Sequence, residues 1–328
     1  MQTNRYMCPL TYITMSHETS NTRSEFQLIE WIKDQSQSRP EIQHGIGDDA
    51  AVLNVSPGSQ VVTAVDVITE GVHFTAESDP FLIGRKALAI NLSDIAAMGA
   101  KPVAAFVGIV LPKHRDRSYA EEIYRGLFEL ANQYNVTIAG GDTNSWDGGL
   151  VISVTVQGVV PKDQAVLRSG AKPGDWIFVT GSLGGSLPSG RHFTFEPKLK
   201  ASRILFEHFR PTAMLDISDG IASDIRHIAN QSNVGVILNA SEIPIHEDVN
   251  QSLNHDQRLQ HALCDGEDFE LLLSVSPETG ERLLSDGKRH GLKAMKIGEC
   301  TKKKELVLSF GEKFISLPAG GWIHQTHS

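Results

Sequence analysis

One stretch constrains the fold of this chain more than any other. GRKALAINLSDIAAMGAKP, from Gly84 to Pro102, predicts an almost wholly apolar helix that carries a single carboxylate, Asp94. Asp79 can cap this helix, Pro80 suits its first turn and Gly99 can end it. The apolar side chains point all round the axis, which predicts a helix enclosed by other elements. Because an unpaired buried carboxylate is costly, Asp94 is expected to face a polar cavity, a cation or a base.

Several further aspartates lie in short glycine-flanked stretches, and these are the candidate neighbours of Asp94. They occur in GIGDDAA, at the end of the strand predicted over residues 61–67, in GGDTN and in LDISDG. Few lysines or arginines are near Asp94 in sequence, so a side-chain cation is not the obvious partner. Converging carboxylates repel one another unless a metal lies between them. Divalent cations are therefore the first hypothesis.

Each of these motifs also has an ordinary structural interpretation when it is taken alone. Asp66 can be a turn former at a strand end, and Asp216 or Asp219 can cap the helix that follows. GGDTN can be a hairpin turn, DGEDFE can be a solvated charge run, and His73 can be an ordinary core or surface histidine. GIGDDAA fits the G-x-G-x-x-A pattern, but two aspartates would repel a pyrophosphate, so the dinucleotide-binding interpretation is rejected.

The composition excludes several classes of function. The net charge of -9 argues against broad binding of nucleic acid or of anionic membranes, which needs a basic face. No apolar run approaches the roughly 18 residues of a membrane span, and the first residues lack the order of a signal peptide. We therefore expect a cytoplasmic protein that has neither nucleic acid nor a membrane as its partner.

The chain is long enough, at 328 residues, for two domains of ordinary size. Residues 1–23 are polar and aperiodic, which predicts a loose tail. The S-x-x-Q sequence of residues 24–27 has the form of a capping box and predicts the start of the first helix. The composition changes at 161–175, PKDQAVLRSGAKPGD, which predicts a linker between two α+β halves. The N-terminal domain is expected over 24–161 and the C-terminal domain over 162–328.

Taken together, the motifs resemble one family from about residue 24 to residue 322: thiamine-monophosphate kinase, in the aminoimidazole-ribotide-synthetase-like superfamily. The matching blocks are, in order, GIGDDAA, the strand end at Asp66 with GVHF, KALAINLSDIAAMGAKP, GGDT, RSGAKPGDW, LDISDG, GEDFEL and the final GW. The resemblance implies a two-domain α+β fold, with an N-terminal domain that dimerises through its sheet and a C-terminal domain that covers the site. It also implies transfer of the ATP γ-phosphate to thiamine monophosphate with the help of several Mg²⁺ ions.

The resemblance further implies roles for individual residues, matched motif by motif. The magnesium positions are Asp49, Asp66, Asp94, Asp142, Asp216 and Asp219, of which Asp94, Asp142 and Asp219 are expected to be catalytic. The nucleotide positions are Gly141, Arg168, Ser218 and Tyr124, and the positions that hold thiamine monophosphate are His73, Glu267 and Trp322. The acceptor phosphate has a second pKa of about 6, so it is largely a ready nucleophile at neutral pH. The chemistry therefore needs charge neutralisation and alignment rather than a general base.

The sequence departs from the family pattern at two places. Ala64 and Val65 stand where many relatives have Ser and Thr, so a metal that uses a hydroxyl there would keep only backbone coordination. The segment 181–211 is shorter than in better-known relatives and is expected to lack a helix. The affinity for ligands and the behaviour of this segment as a lid are open at this point.

The cysteines bear on the rival functions. Cys8, Cys264 and Cys300 lie far apart and form no CxxC pair, which suits a reducing compartment and gives no zinc site. A selenophosphate synthetase would have a reactive cysteine near its N-terminal glycine-rich segment, and a hydrogenase-maturation relative would have one near its C-terminus. A ribotide synthetase is disfavoured by Trp322 and GVHF. A non-catalytic module that binds metal and nucleotide stays open.

Overall fold

The structure is a computed structural model that describes residues 19–37, 39–46 and 50–320, without the side chains of residues 19–26. The helices are α1 Thr19–Gln35, α2 Pro80–Ala97, α3 Arg117–Gln133, α4 Ser186–Ser189, α5 Arg191–Thr194, α6 Leu199–Ile204, α7 Ile221–Ser232, α8 His255–Cys264 and α9 Pro277–Asp286. A π-helical turn, Leu205–Phe209, and the 3-10 turns Ala240–Glu242 and Gly287–His290 accompany them. The strands are β1 Ile42–His44, β2 Val52–Leu53, β3 Ser59–Thr69, β4 Lys101–Pro112, β5 Thr137–Trp146, β6 Val151–Pro161, β7 Trp176–Val179, β8 Ala213–Asp216, β9 Gly235–Asn239, β10 Leu271–Val275, β11 Met295–Thr301, β12 Leu306–Phe310 and β13 Lys313–Ser316. Both halves of the chain mix helices with sheet, which confirms the predicted α+β class.

A four-stranded sheet forms the core of the N-terminal half, in the order β3-β6-β4-β5. β6 is antiparallel to both β3 and β4, whereas β4 and β5 are parallel. The parallel pair needs a crossover, and α3 provides it between β4 and β5. Every second residue of β6 is buried, which is the period expected of a strand with one covered face. Helices α2 and α3 pack together beside this sheet, and α2 also contacts β3 and β6.

A seven-stranded sheet forms the core of the C-terminal half, in the order β13-β12-β9-β11-β7-β10-β8. β10 is antiparallel to β8, and Leu271 at the start of β10 pairs with Asp216 at the end of β8. The segment that precedes β10, DGEDFE, therefore lies beside the LDISDG segment that follows β8. This register brings two of the acidic motifs of the sequence to one edge of the sheet.

Helix α2 occupies the middle of the molecule. It contacts β3, β6 and α3 of the N-terminal half and β8, α5 and α6 of the C-terminal half, and thirteen of its eighteen residues are buried. Asp79 caps it by accepting a hydrogen bond from the backbone N–H of Phe81 at 2.9 Å, and Gly99 follows it in the left-handed conformation. The predicted enclosed helix, its cap and its end are therefore confirmed.

Several element boundaries differ from the predictions. Helix α1 begins at Thr19, five residues before the capping box, because residues 19–23 include no Gly or Pro and can extend a helix that has already nucleated. The prediction of a loose tail is therefore wrong for residues 19–23, which are helical. Residues 1–18 lie outside the described part, so the prediction is not tested there. The division into domains at residue 161 stays a prediction. No helix in the described part of the chain is long and apolar enough to cross a bilayer.

Two further differences concern the site. GGDTN is neither a strand end nor a hairpin turn, because β5 continues through it to Trp146 along the edge of β4. The segment 181–211 was expected to lack a helix, but it forms the short helices α4, α5 and α6 and the π-helical turn. These helices are four to six residues long; α5 and α6 pack against α2, and α4 packs against α5, so tertiary contacts stabilise them.

Candidate functional site

A cavity of about 210 Å³ lies between α2 and the edge of the seven-stranded sheet. It is lined by Asp66, Val67, Val72, His73, Lys86, Ile90, Asp94, Leu187, Asp216, Ser218, Asp219, Asp265, Glu267 and Phe269. Lys86, Ile90 and Asp94 recur every four residues, so one face of α2 forms a wall of this central cavity. Lys86 and Asp94 are eight residues apart, or about 12 Å along the helix axis. The cavity thus has two chemically different ends.

Three aspartates form an acidic cluster at one end of the central cavity: Asp66, Asp94 and Asp216. The carboxyl groups of Asp66 and Asp94 are within hydrogen-bonding reach of each other. Burial, together with the charges of Asp216 and Asp66, raises the pKa of Asp94 to about 9. Burial also raises the pKa values of Asp66 and Asp216 above their ordinary range. The positive charge that the protein supplies to these carboxylates therefore does not offset the cost of their burial.

Two neighbours of the acidic cluster were missed by the sequence analysis. Ser93 is fully buried on α2, and its Oγ donates a hydrogen bond of 2.6 Å to Oδ2 of Asp216. Asp224 is buried in the first turn of α7, and its Oδ2 accepts a bond of 3.1 Å from the backbone N–H of Asp219. Burial and the charges of Asp219 and Asp216 raise the pKa of Asp224 to about 8. An acidic residue in a first helical turn is common, so the pattern alone gave no signal.

The donor set of the acidic cluster fits Mg²⁺, although it does not form a finished cage. Within the described residues, no group of three or more His, Cys, Asp or Glu side chains is arranged to hold a metal ion. Mg²⁺ usually takes only one or two carboxylates and completes its shell with water and phosphate oxygens, so a full protein cage is not needed. The ligands are all hard oxygens, and their mutual repulsion is what a divalent cation would relieve. Asp49, another of the six predicted ligands, lies outside the described residues.

Lys86 and Glu267 mark the opposite end of the central cavity. Nζ of Lys86 lies 2.6 Å from Oε2 of Glu267 and 3.3 Å from the backbone carbonyl of His73. The two predicted substrate residues, His73 and Glu267, are therefore brought together through a lysine. Glu267 has a φ of +56°, a left-handed conformation that is uncommon outside glycine and often marks a functional position.

A smaller cavity of about 90 Å³ contains the other predicted nucleotide residues. It is lined by Ile29, Ile32, Ile46, Tyr124, Ile138, Gly140, Gly141, Asp142 and Thr143. Tyr124 is buried there beside Thr143, and burial raises the pKa of its phenol well above the ordinary range. Gly141 is required by the close approach of β4, because a Cβ would overlap the carbonyl oxygen of Val107. Asp142 is exposed on β5 and lines this cavity rather than the central one.

The remaining predicted residues are placed as follows. Ser218 and Asp219 line the central cavity. Arg168 is exposed in the segment between β6 and β7, and its charge lowers the pKa values of Asp94, Asp216 and Asp224 against the larger effect of burial. Trp322 lies outside the described residues, so its role stays a prediction.

The two residues that replace Ser and Thr of the family pattern, Ala64 and Val65, lie on opposite faces of β3. Ala64 is half-buried and packs against the hydrophobic core, on the same face as Asp66. Val65 points to the other face, where its side chain is 61% exposed. Only the replacement at Ala64 therefore removes a hydroxyl from the face of the strand that carries Asp66.

Comparison with known proteins identifies similar sequences and structures. Two family models match: AIR synthase related protein, N-terminal domain, over residues 47–160, and AIR synthase related protein, C-terminal domain, over residues 186–311. Thiamine-monophosphate kinase of Rhodopirellula baltica is 40% identical over 293 residues, which is 86% of this chain and 91% of the relative. The crystal structure of thiamine-monophosphate kinase from Stenotrophomonas maltophilia has a TM-score of 0.75 and 33% identity, and the match covers 87% of this chain and 96% of that chain. AaThiL complexed with AMPPCP and TMP has a TM-score of 0.68 and 26% identity, and the match covers 96% of this chain and 100% of that chain.

Proposed function

Because the chain belongs to the thiamine-monophosphate kinase family, within the AIR synthase related proteins, we propose that it transfers the γ-phosphate of ATP to thiamine monophosphate and so forms thiamine diphosphate. The observation that carries this proposal is the central cavity, which has the acidic cluster at one end and Glu267 at the other. The acceptor has two parts that match these ends: a phosphate, which would meet the acidic cluster through a bound cation, and a cationic thiazolium ring, which would meet the carboxylate of Glu267. In the proposed orientation, its phosphate lies towards Asp94 and its thiamine part towards Glu267 and His73.

The acidic cluster is proposed to act through magnesium. When bound, Mg²⁺ would neutralise the phosphate oxygens of donor and acceptor and align them for in-line transfer. Asp66, Asp94 and Asp216, with Asp49, Asp142 and Asp219, are the proposed ligands, and Ser93 holds the carboxylate of Asp216 in place through its hydrogen bond. Arg168 supplies a fixed positive charge near this end of the cavity.

The proton balance of the reaction supports the absence of a general base. The acceptor phosphate is largely dianionic at neutral pH, so its oxygen attacks without losing a proton. The attack forms the new P–O bond while the bond from the γ-phosphorus to ADP breaks, and ADP leaves as an anion. The residues of the chain therefore have to bind, orient and exclude water, and the enclosed central cavity suits that task.

The nucleotide is proposed to extend from the central cavity towards the smaller one. Gly141, Asp142 and Tyr124 lie together there, and Ser218 lines the central cavity. The absence of a Cβ at Gly141 allows the backbone of β5 to approach β4 closely at this cavity. Trp322 is proposed to stack on a ring of the acceptor, which a flat cation over an aromatic face would favour.

The proposed oligomer is a homodimer formed through the four-stranded sheet, and the proposed location is the cytoplasm. The outer face of β3 supports the dimer, because Val61, Val65 and Val67 are 47%, 61% and 50% exposed in a row on it. An exposed apolar stripe on a sheet is typical of a protein interface. Size measurement in solution tests the proposal, and charged replacements such as Val65→Lys are expected to give monomers.

The proposed activity predicts one product from one acceptor. Purified protein with ATP and Mg²⁺ should release ADP and form thiamine diphosphate when thiamine monophosphate is added. Free thiamine and aminoimidazole-pathway substrates should give neither product. Chromatography of the thiamine compounds measures this directly. Nucleotide binding without any product would instead favour a non-catalytic module.

Removal of metal should abolish the reaction. Excess chelator is expected to reduce formation of thiamine diphosphate by about a thousandfold or more, because the acidic cluster cannot approach phosphates without a cation. Added Mg²⁺ should restore the rate, whereas K⁺ at the same ionic strength should not. A full rate in excess chelator would contradict the proposed role of the six aspartates.

A further inference from the structure

Lys86 is a completely buried cation that the sequence analysis did not single out. Its exposed fraction is 0%, although it lines the central cavity. Nζ lies 2.6 Å from Oε2 of Glu267, 2.8 Å from Nδ1 of His192 and 3.3 Å from the carbonyl oxygen of His73. An ammonium group has three protons to donate, and these three acceptors account for all of them.

The three acceptors come from three separate parts of the chain. His73 follows β3, His192 belongs to the short helix α5, and Glu267 lies in the segment before β10. The sequence separations from Lys86 are 13, 106 and 181 residues. One side chain of α2 thus connects both predicted substrate residues to the segment 181–211, which also contributes Leu187 to the lining of the cavity.

His192 acts as an acceptor in this arrangement. Burial and the positive charge of Lys86 lower the pKa of His192 to about 4, so the imidazole is neutral at physiological pH. His192 therefore adds no charge to the pair formed by Lys86 and Glu267. Burial lowers the pKa of Lys86, but the adjacent charge of Glu267 opposes that shift.

Glu267 uses only one of its two oxygens in these contacts. Oε2 accepts the hydrogen bond from Lys86. The side chain of Glu267 is 21% exposed, and it lines the cavity. The backbone is held as well, because the N–H of Glu267 donates to the carbonyl of Ser218 at 2.7 Å. The geometry leaves Oε1 as the oxygen that can meet a ligand.

We propose that Lys86 is a positioning residue for the acceptor substrate: it fixes the carboxylate of Glu267 and the carbonyl of His73 so that the thiamine part is bound in one orientation. This inference rests on the proposed function of the central cavity. Lys86 does not act as the phosphate-binding cation, because its three donors are already used and it lies about 12 Å along α2 from Asp94. Without the lysine, Oε2 of Glu267 would lose the hydrogen bond that holds it, and the carboxylate would be free to turn away from the ligand.

A matched control is available at the preceding residue. Arg85 is also buried on α2, and it donates to the carbonyls of Phe193 and Phe195 at 3.0 and 2.8 Å and to Glu196 at 2.6 Å. Arg85 therefore binds the same segment, 181–211, that Lys86 contacts through His192, but Arg85 does not line the central cavity. Arg85→Met removes an attachment of that segment without touching Glu267.

The test compares steady-state kinetics of wild type, Lys86→Met and Arg85→Met, each varied in thiamine monophosphate and in ATP. Lys86→Met is expected to raise the KM for thiamine monophosphate by about tenfold or more, while the KM for ATP changes by less than about threefold. Arg85→Met should leave the KM for thiamine monophosphate within about threefold of wild type. An unchanged KM in Lys86→Met, or an equal rise in Arg85→Met, overturns the proposal.

A second comparison separates positioning from general stability. In the Glu267→Gln background, adding Lys86→Met should change the KM for thiamine monophosphate by less than about threefold, because the contact with Glu267 is already lost and only the weaker one, 3.3 Å to the carbonyl oxygen of His73, is left to remove. A full additive loss in the double variant contradicts the proposal. If Lys86→Met alone does not fold, this comparison still decides, since no charge of the pair is then left unpaired. Wild type is assayed first, so a wild type that forms no thiamine diphosphate reports failure of the proposed function and not of Lys86.

Discussion

Asp94→Asn should abolish formation of thiamine diphosphate while the protein stays folded. The substitution keeps the volume of the side chain and removes the charge that the proposed metal ligand supplies. The rate should fall by about a thousandfold or more, as expected when electrostatic stabilisation of a phosphoryl transfer is lost. The melting temperature should be no lower than that of wild type in the absence of metal, because burial and the charges of Asp216 and Asp66 already disfavour the ionised carboxylate.

The control for this prediction is the same chemical change on another helix. Asp116 caps α3 by accepting a hydrogen bond from the N–H of Tyr119 at 3.0 Å, and asparagine caps almost as well. Asp116→Asn should therefore have wild-type activity and stability. Circular dichroism and thermal melting establish that both variants are folded. A folded Asp94→Asn that is fully active would sink the metal hypothesis for the central cavity.

Gly84→Ala should cause a large loss of stability through a single added methyl group. Helices α2 and α3 pack so closely that a Cβ at Gly84 would overlap the carbonyl of Ile123, and one at Gly126 would overlap the carbonyl of Phe81. The obstacle in both cases is backbone, which cannot move as a side chain can. Each substitution should lower the free energy of unfolding by about 3 kcal/mol or more, at the upper end of what overpacking costs. Urea denaturation measures this change.

Gly287→Ala is the matched control for the helix contact. Gly287 has an ordinary helical conformation, with φ -51° and ψ -44°, and a Cβ there would meet its nearest neighbours at 3.5 Å. This substitution should be neutral or should stabilise by up to about 1 kcal/mol, because it restricts the unfolded chain. Equal stability of Gly84→Ala and Gly287→Ala would show that α2 can move away from α3, and it would remove the rigid wall on which Asp94 and Lys86 are placed.

The sequence was informative where the physics is local. The enclosed α2 followed from its cap, its proline, its glycine and an apolar pattern on all sides, and each of these signals acts within a few residues. The cost of burying a carboxylate predicted that Asp94 needs a partner and made the other glycine-flanked aspartates the candidates, and the structure places Asp66 and Asp216 beside it. The resemblance then added the roles of these residues, which remain predictions until they are tested.

The sequence was less informative where contacts join distant residues. Glu267, the carboxylate that pairs with Lys86, is 181 residues away in the sequence. Arg85 and Lys86 lie in the same helix as Asp94, but they were not considered as cations near it. A short strand over residues 136–139 was predicted to end at GGDTN, but the pairing with β4 extends β5 to Trp146. Both errors arise because a tertiary partner overrides the local preference.

The central claim is that this chain moves a phosphoryl group from ATP directly to thiamine monophosphate. The most direct measurement follows the label from γ-³²P-ATP in the presence of thiamine monophosphate and Mg²⁺. The account predicts that label appears in thiamine diphosphate, one for each ADP formed, and that Asp94→Asn transfers none. Label that is released as inorganic phosphate, or that stays in ATP while thiamine monophosphate is unchanged, would contradict the account.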